Sequence, residues 1–107
     1  MIRSVLYLKP RDGRADDIVE FYRRYGVLER AMTQDGCLGT ELQLPSGGVG
    51  DVLVTALWRD VDAYQGWLDN PDRALNADEL GELVEGFHTG ISGETYEVVL
   101  DGRGGAR

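Results

Sequence analysis

Aromatic side chains fall at spacings that would let them share one space. Phe21, Tyr22 and Tyr25 recur at helical intervals, Trp58 ends an apolar run, and Tyr64 and Trp67 stand three residues apart just beyond it. Such rings bury much apolar surface, while their hydroxyl and indole N–H tips need partners once buried. Converging, they would wall a pocket for a flat aromatic ligand; taken singly, each is ordinary core packing. His88, the single histidine, titrates near neutrality without perturbation and is the default general acid or base, although a place near a helix end also accounts for it. Cys37, the only cysteine, has no base beside it and reads as a structural thiol. Asp78, Glu79, Glu82 and Glu85 read as a solvated helix face.

Other chemistries lack their residues. There is no CxxC, HExxH or GxSxG, no GxGxxG after a strand, and no lysine behind Gly47, Gly48 and Gly50, so metal, serine-hydrolase and dinucleotide or phosphate readings have no motif and no cofactor is expected. The net charge of −8, from 19 acids against 11 bases, repels nucleic acid and anionic membrane alike, and neither is an expected partner. No apolar run approaches the roughly 20 residues that span a bilayer. The opening MIRSVLYLKP lacks the apolar core of a signal peptide, and one cysteine permits no intramolecular disulfide, so a cytoplasmic location is expected.

The elements that would position these residues follow from periodicity. At 107 residues, 42% apolar and 28% charged, the chain has the size and composition of one folded domain. Residues 2 to 9 alternate as a strand, with Ile2, Leu6 and Leu8 opposite Arg3, Val5 and Tyr7, and Pro10 ends it. Helical spacing then runs over residues 14 to 33 through Ile18, Phe21, Tyr22, Tyr25 and Met32, with Glu20, Arg23, Arg24 and Arg30 turned outward and Gly26 marking a bend or close approach. Residues 37 to 44 alternate as a second strand, with Leu38, Thr40, Leu42 and Leu44 on one face. A Gly-rich hairpin leads to a third strand, residues 51 to 58, apolar on both faces. Helical spacing returns at 61 to 68, stops at Asn70 and Pro71, and resumes over 74 to 87; a last strand is predicted over 94 to 100.

The order strand, helix, strand, strand, helix pair, strand is the split βαβ arrangement: an α+β, ferredoxin-like fold with a four-stranded antiparallel sheet and its helices on one face. The domain is expected to cover residues 1–100, with 101–107 a flexible tail. A third strand apolar on both faces would leave one side of the sheet partly wet, which points to a homodimer covering it.

The stretches QDGCLGTELQL (34 to 44) and DVLVTALWRDVDAYQGWLDNPD (51 to 72) resemble the core signature of the antibiotic biosynthesis monooxygenase (ABM) family, and most of the chain is similar to it. The resemblance implies a dimeric α+β barrel. One branch oxidises polyketide anthrones and quinols without cofactor, letting a deprotonated substrate give an electron to dioxygen in an aromatic pocket. Trp58 and Tyr64 match aromatic positions of that branch, whereas the Asn expected on the third strand has no counterpart near Val54. The other branch degrades haem; DDIVEFYRRYG (16 to 26) and Trp67 resemble it, but Tyr7 stands where its Asn, and Ala77 where its haem-ligating His, would be.

The resemblance thus implies a cofactor-independent monooxygenase acting with molecular oxygen on a small, hydrophobic, phenolic polyketide-type intermediate. Trp67 and Tyr64 would flank the ring, Tyr7 or His88 would take or support a phenolic proton, and Phe21, Tyr25 and Trp58 would complete the substrate site. Non-oxidative polyketide tailoring, ligand carriage and haem binding are the alternative readings.

Overall fold

The computed structural model describes residues 1–88 and 91–102. Its elements run β1 (Ile2–Leu8), α1 (Ala15–Tyr25), α2 (Val27–Met32), β2 (Cys37–Gln43), β3 (Val52–Trp58), α3 (Val61–Leu68), α4 (Ala77–Leu83) and β4 (Glu94–Glu97), with 3-10 turns at Arg11–Gly13 and Pro71–Ala74. The strands form one antiparallel sheet in the order β2-β3-β1-β4, the ferredoxin-like topology expected from the sequence.

Register decides which residues face the helices. Ile2, Ser4, Leu6 and Leu8 of β1 pair with Trp58, Ala56, Val54 and Val52 of β3, and this double row forms the inner face. At one end Leu8 and Val52 pack with Ile18, Phe21 and Tyr22 of α1 and Leu80 and Leu83 of α4. At the other, Ile2 and Trp58 pack with Ala63, Tyr64 and Trp67 of α3. Two clusters therefore share one sheet, the first under α1 and α4 and the second under α3 with Ala31 of α2.

Four boundaries differ from the periodicity. The helix expected over 14 to 33 breaks at Gly26, whose φ of 57° is left-handed. The restart shifts the buried stripe by one residue, so Ala31 is buried and Met32 is 45% exposed. In β2 a bulge places Cys37 opposite Trp58 and Gly39 opposite Leu57, turning Leu38 out of the expected buried row. The helix expected over 74 to 87 shrinks to α4 because Val84 is drawn into a bridge with Pro10, reinforced by the Glu85 N–H donating to the Lys9 carbonyl at 2.9 Å. Finally, β4 stops at Glu97, opposite Ile2, and the next residue, Val98, donates its N–H to the Met1 carbonyl. Most of the tail expected at 101 to 107 lies outside the described residues.

Two side-chain caps set the helix starts near Trp67: Asp60 accepts from the Ala63 N–H and Asn70 from the Asp72 N–H, both at 2.9 Å. Gly36, before β2, has φ of 85°, and a Cβ there would lie 2.5 Å from the Ala63 Cβ of α3. Left-handed strain and overlap add at this position, so Gly36→Ala is expected to cost about 2–4 kcal/mol. Gly39→Ala, at ordinary φ with open space around it, should change stability by less than about 0.5 kcal/mol. Urea midpoints of the two variants check the contrast.

Candidate active site

Between the two clusters the inner face is lined by small residues. Ser4 and Ala56 stand opposite each other in the ladder, and Ala31 and Ala77 face the same region from the helices, so the layers do not close there. The result is a cavity of about 90 Å³ whose walls include Phe21, Tyr22, Trp58, Tyr64 and Trp67. Its exposed members, Ala74 and Leu75, mark the mouth. Ligand pockets commonly hold about 300–1,000 Å³, so a polycyclic ring system enters only as this mouth opens.

The rings are held by hydrogen bonds as well as packing. The buried Trp58 indole N–H donates to Ser4 Oγ at 3.0 Å, and the Tyr64 ring lies 5.4 Å from the Trp58 ring at 44°. The Tyr64 hydroxyl accepts from Gly93 N–H at 2.8 Å, tying α3 to the segment entering β4. Phe21 meets Tyr22 edge-on at 5.8 Å. Burial pushes the Tyr22 hydroxyl up to about 12, against a lowering influence from Arg73, so it stays a neutral phenol across the physiological range.

Five of the residues singled out in the sequence, Phe21, Tyr22, Trp58, Tyr64 and Trp67, thus meet at one cavity. Three do not. Tyr7 lies on the opposite face of the sheet, 45% exposed, beside Tyr96, whose hydroxyl is raised to about 12 first by its bond to Glu94 and then by Tyr7. Tyr25 packs its ring on Phe21 at 5.0 Å and donates its hydroxyl to Glu79 at 2.9 Å, away from the cavity wall. His88 is exposed beyond α4, with its carbonyl accepting from Ile91 N–H. Neither Tyr7 nor His88, for which a proton-transfer role was expected, is among the described residues lining this cavity.

Other residues take their places. Arg30, expected outward, turns to the cavity because the Gly26 break resets the helix phase; its Nη1 donates to the Asp72 carbonyl at 3.0 Å, while its buried Nε has no acceptor. Arg73 lines the same space and donates to the Ile91 carbonyl. The small pair Ser4 and Ala56 was the readable signal of a gap; nothing in the spacing distinguished the two arginines. Cys37 is half-buried, its thiol pushed up by burial and its Sγ 3.8 Å from Met32 Sδ, which agrees with a structural role.

The family model for antibiotic biosynthesis monooxygenases matches residues 1–74. The chain belongs to that family. Among solved structures, the Rv0793 protein of Mycobacterium tuberculosis is 16% identical with a TM-score of 0.70, covering 94% of this chain and 97% of its own. SnoaB, a cofactor-independent oxygenase from Streptomyces nogalater, in its N63A mutant, is 19% identical with a TM-score of 0.67 and covers 94% of each chain. The heme-degrader MhuD of Mycobacterium tuberculosis, with two hemes bound in its active site, is 20% identical with a TM-score of 0.66, covering 94% of this chain and 98% of its own. At these identities the likeness is one of fold. No curated protein matches the chain's sequence.

Among the described residues lining this ABM cavity, none is a histidine that could hold a haem iron. Ala77 lines the wall at the position where resemblance places the histidine, and His88 is not part of it. The Tyr64 hydroxyl is engaged by Gly93, and the burial that raises Tyr22 opposes the phenolate an iron would need. Among the described residues, no group of three His, Cys, Asp or Glu is placed to hold a metal ion, and no helix is long and apolar enough to cross a membrane.

Tyr22 supplies a check on this geometry. Its folded value of about 12 lies above the ordinary 10.0, so its contribution to stability is fully present below pH 10 and is lost as pH rises through about 12. Alkaline difference absorbance should show a late tyrosinate component, to which Tyr96 also contributes, that Tyr22→Phe reduces. A variant with unchanged late absorbance would place the Tyr22 hydroxyl in solvent.

Proposed function

We propose that this ABM protein is a cofactor-independent monooxygenase acting on an aromatic, phenolic polyketide-type intermediate of secondary metabolism, and that it works as a cytoplasmic homodimer. The observation that carries the reading is the meeting of Phe21, Tyr22, Trp58, Tyr64 and Trp67 around one cavity, which suits a flat, electron-rich ring. Membership of the family and the fold shared with SnoaB, a cofactor-independent oxygenase, support it.

Trp67 and Tyr64 would flank the ring while the mouth closes over it and excludes water. The chemistry needs no external reductant. A ring methylene conjugated with a carbonyl across the ring, as in an anthrone, ionises, gives electrons to dioxygen and becomes a carbonyl; one oxygen atom stays in the product and the other leaves as water with the two methylene hydrogens. The substrate supplies every electron. Placing the ring and drying the site are tasks the lining residues can perform.

An oxygen electrode with an anthrone as substrate tests this. Trp67→Ala should lower the enzyme-dependent oxygen uptake by about tenfold or more, given the loss of a buried positioning ring, whereas His88→Ala should leave it unchanged. Uptake equal to the spontaneous rate, or a Trp67→Ala enzyme as fast as the parent, would overturn the assignment. Stoichiometric anthrone binding with no oxygen consumed would instead mark a ligand-carrying protein.

The homodimer reading rests on the other face of the sheet. Val5, Leu53 and Leu57 point there, lie outside both core clusters, and stand beside the exposed rings of Tyr7 and Tyr96. A second copy would cover this apolar surface. Light scattering at micromolar concentration should give twice the chain mass, and Leu53→Asp should give the single-chain mass. A parent protein of single-chain mass would sink the dimer.

A further inference from the structure

The charges around the cavity are one-sided. The chain as a whole is acidic, with a net charge of −8, yet the charged side chains lining the cavity are Arg30 and Arg73, and its described walls carry no carboxylate and no imidazole. Four other arginines are matched, Arg14 with Asp17, Arg23 with Glu20, Arg24 with Glu79 and Arg59 with Asp35, while Arg11, outside the cavity, donates to the carbonyls of Gly81 and Val84. Arg30 and Arg73 instead hold backbone carbonyls, of Asp72 and Ile91, and among the described residues neither stands in an ion pair. Each of those bonds uses one N–H of a five-donor group, so both guanidiniums keep donors to spare. One of them, Arg30 Nε, is buried without any acceptor. The Tyr22 hydroxyl, a neutral donor near Arg73, adds to a polar wall that also includes Ser4, Thr40, Thr55 and Tyr64.

From this we infer that the cavity takes its ring system as an oxyanion, a carboxylate or an ionised phenol on a flat aromatic body, and that Arg30 and Arg73 hold that charged oxygen near the mouth. The inference rests on the aromatic-cavity reading above and names the substrate class for it. A guanidinium matches two oxygens of a carboxylate in one plane and also donates well to a single phenolate oxygen. The described lining carries no carboxylate or imidazole to remove a proton, so the two cations do the corresponding work electrostatically, by favouring the ionised form of what binds. An acidic exterior adds selectivity, because an anion is attracted at this mouth and repelled elsewhere.

Binding can be read from the fluorescence of Trp58 and Trp67, both of which line the cavity. Anthraquinone-2-carboxylate should bind the parent protein about tenfold more tightly than the neutral anthraquinone-2-carboxamide, the size expected of charge-assisted bonds. Added salt should narrow the difference. In Arg73→Gln and in Arg30→Gln the preference should shrink to about twofold, with carboxamide affinity retained. That retained affinity shows that the variant is folded, and the parent contrast stands even if one variant does not fold.

A monohydroxyanthraquinone titrated from about pH 6 to about pH 9 separates the two sources of the oxyanion: tightening as its phenol ionises marks a phenolate, and tightening confined to the carboxylate probe marks a carboxylate. If neither anion binds the parent more tightly than its neutral counterpart, or the preference survives in both variants, the anion assignment falls while the aromatic cavity stands. If no anthraquinone binds at all, both readings fall.

Discussion

Trp58 cannot be buried without a partner for its indole N–H, and Ser4 is that partner. An unmet donor at such depth costs about 1–3 kcal/mol, so the hydroxyl is held to one strand position. Because Ser4 is small and faces Ala56 across the ladder, the middle of the inner sheet face stays low while its two ends rise into packed clusters. The helices follow that relief. They bury the ends and leave the space between, so one hydrogen bond anchors the far core and leaves its neighbour too short to fill the centre.

The electrostatic arrangement is the reverse of what bulk composition suggests. Acids dominate the chain, and exposed pairs such as Arg23 with Glu20 sit in solvent, where each contributes little. The two arginines that matter to the cavity are the ones that composition hides among their neighbours. Their backbone partners, the carbonyls of Asp72 and Ile91, position the guanidiniums without cancelling their charge. A carboxylate in the same places would have neutralised them.

Much of this was readable from alternation and spacing. Strand order, the apolar third strand, the stop at Asn70 and Pro71 and the aromatic grouping of Phe21, Trp58, Tyr64 and Trp67 are local patterns, and local patterns survive into the fold. Alternation alone also placed Tyr7 with Arg3 and Val5, opposite Leu6, so the proton role implied for it by resemblance ran against its own strand. What could not be read depends on distant partners. Val84 leaves its helix for Pro10, which lies far away in sequence, and that shortening carries His88 clear of the helix end expected beside it. Arg73 faces inward because it reaches Ile91, a contact without any signature in residues 71 to 74.

Gly26 illustrates how little chain is needed to redirect a site. One residue of α-helix corresponds to about 100° of rotation about the axis, so the left-handed break between α1 and α2 acts as an angular setting for everything after it. A continuous helix from Ala15 to Met32 would bury the Met32 side chain and point Arg30 at solvent. The broken helix buries Ala31 and brings a guanidinium to the cavity wall. The polarity of the interior is thus decided by the torsion of a residue that has no side chain and never touches the space it governs.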